Sequence, residues 1–181
     1  MTAEIGSGAS WWSRTVRKEA DKDVLKTGER VGNVIGAVFT VIVVLIFLYI
    51  QDRGYLFMDD FDATAQVLFY GAILYGMVPS LARAIIGRRN LGRLLDLVGS
   101  AIFVIVASYF LATFPFDFSN LYQALPSDLE WTLRWLTNSL VRVLLVIGIF
   151  ITVISAAYNF ILYLAVRDEL SLRGMAPGPV Q

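Results

Sequence analysis

The run Val31-Gly32-Asn33-Val34-Ile35-Gly36-Ala37-Val38-Phe39-Thr40-Val41-Ile42-Val43-Val44-Leu45-Ile46-Phe47-Leu48-Tyr49-Ile50 contains no charged residue. Inside a bilayer every backbone N–H and C=O must be satisfied by the protein, and an α-helix does this within one segment. At 1.5 Å per residue, about 20 residues span a hydrocarbon core of about 30 Å. The run therefore reads as a membrane-crossing helix. Three further uncharged runs extend from Ala63 to Ala82, Leu97 to Phe116 and Val143 to Val166. They lack period-two alternation and are much longer than barrel strands, which favours helices over a porin-like sheet.

Composition agrees with this reading. Of 181 residues, 57% are hydrophobic, and the mean hydropathy of +0.65 leaves too little polar surface to cover a soluble domain. The expected fold is all-α and polytopic, divided into a segment 1–30, a four-helix membrane domain 31–173 and a loose tail 174–181. The first apolar run follows mostly polar residues and lacks a small-residue cleavage site, so it reads as a retained anchor. The segment Ser10 to Arg30 carries Trp11, Trp12, Val16, Val24 and Leu25 among charges, and is expected to form an amphipathic helix lying on the membrane surface.

Charge placement sets the expected orientation. Lysine and arginine gather in the N-terminal segment, at Arg83, Arg88, Arg89 and Arg93 in the middle connection, and at Arg167 and Arg173. The opposite side holds Arg53 and Arg134, with Arg142 at the head of the last span, against Asp52, Asp59, Asp60, Asp62, Asp117, Asp128 and Glu130. The positive-inside bias then places both termini in the cytoplasm and both hairpin loops outside a cell membrane, with Trp131 and Trp135 in an aromatic belt.

The chain repeats itself weakly. Lys26-Thr-Gly-Glu29-Arg-Val31-Gly32-Asn33-Val-Ile35 and Arg93-Leu-Leu-Asp96-Leu-Val98-Gly99-Ser100-Ala-Ile102 share a basic residue, an acid three positions on, and Val-Gly. Tyr70-Gly-Ala-Ile73-Leu74-Tyr75 and Tyr158-Asn-Phe-Ile161-Leu162-Tyr163 match in the second and fourth spans. A tandem pair of helical hairpins is the corresponding expectation. Within it Lys26 is expected to pair with Glu29 and Arg93 with Asp96. Gly32, Gly36, Gly71, Gly76 and Gly99 are candidates for close helix packing, including packing of a second copy.

Punctuation refines the outline. Pro79 deprives the Tyr75 carbonyl of its donor and predicts a kink in the second span. Ser127-Asp128-Leu129-Glu130 after Pro126 is a capping-box signature, predicting a helix start near Asp128; the helix then either projects outward by several turns or, the favoured expectation, breaks near Asn138-Ser139 before the last crossing.

Chemistry is limited by what is missing from the alphabet. The chain has no cysteine and no histidine, which removes disulfides, thiolate or imidazole metal sites and any histidine general base. No phosphate-binding loop or dinucleotide fingerprint occurs. Catalysis and cofactors are not expected, nor is nucleic-acid binding, since 15 basic residues balance 15 acids. Asp59, Asp60 and Asp62 form a weak candidate metal site, although an aspartate before an apolar helix is also what N-capping requires. Arg83, Arg88, Arg89 and Arg93 are candidates for contact with anionic lipid at the cytoplasmic face. Arg142 either snorkels to the interface or is buried in an ion pair with Asp62 or Asp117. Gln66, Asn138, Asn159, Tyr70, Tyr75, Tyr109 and Tyr158 are candidate lining for an oligomeric path. The expected role is an accessory or structural subunit in the bilayer, as a homo-oligomer or beside other membrane subunits; the alternative is a small channel or transport subunit.

Overall fold

The computed structural model describes residues 10–174. The tail expected after Gly174 lies outside the described residues. Six α-helices occur in the order α1 Trp11–Asp21, α2 Thr27–Asp52, α3 Ala63–Tyr75, α4 Met77–Ile86, α5 Arg89–Thr113 and α6 Asn138–Leu172. Among the described residues there is no strand, only the isolated bridges Val24 to Arg88 and Phe57 to Phe116. Four helical units are long and apolar enough to cross a membrane: α2, α3 with α4 as one bent unit, α5 and α6.

The bend has a local cause. Pro79 cannot donate to the Tyr75 carbonyl, and the helix breaks there at Gly76, whose N–H donates to the Ile73 carbonyl at 3.0 Å. The third crossing ends at Thr113, three residues before the expected limit, because Pro115 cannot continue a helix. Phe114 closes it in the left-handed region at φ 42°, a conformation a bulky residue adopts only when its surroundings hold it. The Phe114 side chain is buried.

The capping signature at Ser127 opens no α-helix. Residues Phe118–Ala124 and Glu130–Thr132 form short 3-10 turns instead. The last helix starts at Asn138, the expected break, with Thr137 Oγ1 accepting the Leu140 N–H at 3.3 Å. The helical turn formed before it is too short to be an outward projection of α6. The expected surface helix is also shorter than its sequence suggested. It stops at Asp21, and Val24 and Leu25 belong to the connector that leads into α2.

Packing concentrates at the two ends. At one end α1 sets Val16 and Ala20 against Leu162, Val166 and Leu170 of α6. At the other, Leu56, Phe61, Ala65, Val106, Phe110, Phe114, Phe116 and Leu121 form an aromatic core. The loops there are knitted by the Met58 N–H on the Pro115 carbonyl at 3.1 Å and the Asp117 N–H on the Leu56 carbonyl at 2.7 Å. Phe69 stands edge-on to Phe47 at 5.0 Å and to Phe57 at 5.5 Å, contacts worth about 0.5–1.5 kcal/mol each beyond burial. Between the ends, the outer faces of α2 and α6 are lined by exposed apolar side chains, among them Ile35, Phe39, Ile46, Phe150 and Ile154. This is the surface expected where lipid is the solvent.

Candidate functional site

Three polar or charged side chains are buried among the described residues, Asp23, Asn90 and Arg93, and all three meet at the end formed by α1, the turn between α4 and α5, and the end of α6. The connector 22–26 supplies Asp23. Its backbone carbonyl accepts the Arg89 N–H at 2.7 Å, and its Oδ1 accepts the Asn90 N–H at 2.8 Å. Arg88, the N-cap residue of α5, makes no side-chain cap of its own. Asp23 therefore caps α5 from 67 residues away, satisfying a donor that the helix cannot pair and placing a negative charge at the positive end of its dipole.

Around this cap the arginines are matched with acids, most of them from other elements of the chain. Arg93 pairs with Glu19 of α1 and donates to Asn90 Oδ1 at 3.5 Å. Arg89 meets Glu29 at 2.6 Å, Arg88 lies 3.9 Å from Asp23, and Arg83 pairs with Asp96. Arg173 closes the far edge by reaching Asp21 at 2.6 Å and Glu169 at 2.8 Å; the hydrogen bond to Asp21 is the main reason its pKa is raised. The pairs expected within each repeat, Lys26 with Glu29 and Arg93 with Asp96, are replaced by bonds between helices. Glu29 still serves its own helix by accepting the Lys26 backbone N–H at 3.1 Å.

The physical reason is reach. A basic residue and an acid three positions apart on one helix gain little from an exposed pair. The same groups held between helices fix a packing angle and compensate a guanidinium that is partly desolvated. A cleft of about 320 Å³ beside the cluster is bordered by Asp23, Arg88, Asn90, Tyr163, Arg167 and Ser171.

The glycines divide. A Cβ at Gly99 would stand 3.0 Å from the Tyr75 ring, and one at Gly76 would stand 3.0 Å from the Ile73 carbonyl. Gly32, Gly36 and Gly71 have open space at the Cβ position among the described residues, with nothing within 4 Å. Gly92 is covered by the Arg83 side chain, a close approach that the sequence pattern did not single out.

At the opposite end lie the candidate metal ligands Asp59, Asp60 and Asp62. Asp62 caps α3, accepting the Ala65 N–H at 2.8 Å, and no group of three acids suited to a cation occurs among the described residues. Asp117 accepts the Ser119 N–H at 2.9 Å and contacts Asn120 and Asn138. Chiefly the Ser119 backbone bond holds its carboxyl below the usual range. Neither acid meets Arg142. That guanidinium is exposed and lies 4.3 Å from the centroid of the Phe114 ring.

Within the chain, several of the polar residues suggested for an oligomeric path have local partners. Tyr70 donates to Gln51 at 2.6 Å, Tyr75 to the Leu95 carbonyl at 3.1 Å and Gln66 to the Phe61 carbonyl at 3.3 Å. Asn138 faces the Phe118 N–H at 2.7 Å, and Tyr158 packs on Trp12. Glu19, Asp23 and Asn90 were missed by the sequence reading. The signal lay in the acids scattered among the basic residues of segment 10–30, which a count of lysines and arginines alone passes over.

Compared with protein-family models, with curated proteins and with solved structures, the chain matches none.

Proposed function

We propose that this chain is an accessory or structural subunit of a membrane assembly, holding a fixed shape in the bilayer for a partner to pack against. The observation that carries the reading is the distribution of buried polarity. Asp23, Asn90 and Arg93 lie together at one end, while the buried residues along the crossings are apolar, among them Ala37, Val44, Ala65, Val106 and Phe110. Helices that conduct ions or relay protons usually carry ionisable groups at membrane depth. Here the ionisable groups serve as staples between helices at the interface.

The open faces of α2 and α6 support a partner in the membrane. Gly32 and Gly36 give α2 a smooth stripe along which another helix, from a second copy or a different subunit, can approach closely. In this reading the arginine-rich end, with both termini, is cytoplasmic in a cell membrane, and anionic lipid surrounds it. Trp11, 67% exposed at the start of α1, anchors that helix at the interface while its other side packs on α6. The two hairpins descend from one duplicated unit whose second copy gained the long loop before α6.

Gentle solubilisation of the native membrane and mass analysis of what co-purifies with the chain tests this role. Recovery of defined membrane partners in fixed proportion is expected. Recovery of the chain alone, together with ion or solute flux when the purified protein is placed in liposomes, would replace this reading with the channel.

A further inference from the structure

A cavity of about 350 Å³ lies between α2, α3, α5, α6 and the loop after α5, at the end opposite the arginine cluster. Its wall includes Phe47, Phe69, Phe103, Phe110, Phe116 and Leu145, and every other residue bordering it is apolar as well. Such a volume is in the range that holds a small ligand. Water gains nothing there, because it needs two to four polar partners. An unfilled space of this size forfeits dispersion contacts on every side.

The shape of the cavity specifies the occupant. Along α5 it is bordered from Gly99 to Phe110, a rise of about 16 Å at 1.5 Å per residue. It is therefore long, running from the loops toward mid-membrane. Phe103 is 40% exposed, so the cavity communicates with the surface that lipid covers.

A charge stands one aromatic ring away from its wall. Val141 and Leu145 line the cavity from α6, and Arg142 follows Val141 in the same helix. Its guanidinium lies over Phe114, whose ring packs 5.8 Å from Phe116 and 6.4 Å from Phe118, both wall residues. Asp62 and Asp117 accept from backbone and amide N–H groups, and among the described residues neither pairs with Arg142.

We infer that one anionic phospholipid binds here, with an acyl chain in the phenylalanine-lined cavity and its phosphate on Arg142. The order of groups matches a lipid of that leaflet, head at the interface and chain toward the bilayer centre. The site requires that the helices be embedded in a bilayer, and it stands whether or not the chain has a protein partner.

The test uses the full chain in nanodiscs containing phosphatidylcholine and phosphatidylglycerol, followed by native mass spectrometry of the released protein. Retention of one phosphatidylglycerol is expected. Arg142→Gln should lower the preference for phosphatidylglycerol over phosphatidylcholine by about tenfold, the worth of one charge-assisted bond. Ala72→Phe, which fills the cavity, should abolish retention of both lipids; Ala107→Leu takes its place if the first variant is not monodisperse. Inorganic phosphate added in excess should leave the lipid bound. The inference is overturned if the filled variant keeps its lipid, if Arg142→Gln leaves the lipid preference unchanged, or if free phosphate displaces the lipid.

Discussion

The carboxylate of Asp23 accepts the backbone N–H of Asn90 at 2.8 Å, so the connector between the first two helices caps the third membrane crossing. Because Asp23 is only 4% exposed, water cannot replace it in this role. Asp23→Ala should lower stability by about 2 kcal/mol, combining loss of a cap with a donor left unpaired in a buried place. Asp23→Asn keeps an acceptor and should cost less. Unfolding of the two variants in mixed micelles, followed by helical circular dichroism, makes the comparison.

Arg93 is 8% exposed and its charge is answered by Glu19. Removing the acid alone by Glu19→Ala strands a buried cation, at a cost of about 3–5 kcal/mol. The double variant with Glu19→Leu and Arg93→Met replaces both groups by apolar ones and should recover most of that loss. Protease susceptibility between Arg14 and Lys22 reports whether α1 has left α6, and equal damage in the single and double variants would dismiss the pair as a staple.

Gly87 ends α4 at φ +71°, and a Cβ there would collide with the Arg30 guanidinium. Its carbonyl accepts the Leu25 N–H at 2.9 Å, so the turn joins two connectors as well as two helices. Gly87→Ala is expected to destabilise by about 1–2 kcal/mol through left-handed strain, read as a lowered midpoint in thermal unfolding of the detergent-solubilised protein.

Asp117 has a folded-state pKa below its ordinary value, first because of the Ser119 backbone N–H. A depressed carboxyl pKa contributes stability that is complete above the unfolded value of about 3.9 and is lost as pH falls through the folded value. Asp117→Asn should therefore unfold at nearly the same midpoint as the wild type well below that window and at a lower midpoint near neutrality. A constant difference across the whole range would assign the effect to packing instead.

The four crossings were legible because bilayer thickness fixes their length and each is uncharged. The kink above Pro79 was legible for a similarly local reason, a missing donor. The long apolar faces of α2 and α6 also follow from sequence alone. The arginine cluster was less accessible. Glu19, Asp23, Glu29 and Asp96 choose arginines from other elements of the chain, and sequence spacing reports only neighbours on the same helix. Ser127 to Glu130 misled because the capping pattern states a local preference, and the apolar residues after it did not continue a helical period long enough to use it. The sequence alone does not fix the depth of Arg142, since that depends on where α6 begins; the start at Asn138 places the guanidinium one turn in, over Phe114.

Since the chain contains no cysteine, single cysteines offer the most direct test of the topology on which the account depends. Ser127→Cys, in the long loop, and Ser171→Cys, at the end of α6, are each expressed in intact cells and exposed to a membrane-impermeant maleimide. Labelling of Ser127→Cys at once, and of Ser171→Cys only after permeabilisation, is the predicted result. Equal labelling of both before permeabilisation would place the two ends of the bundle on one side of the membrane and contradict the four crossings.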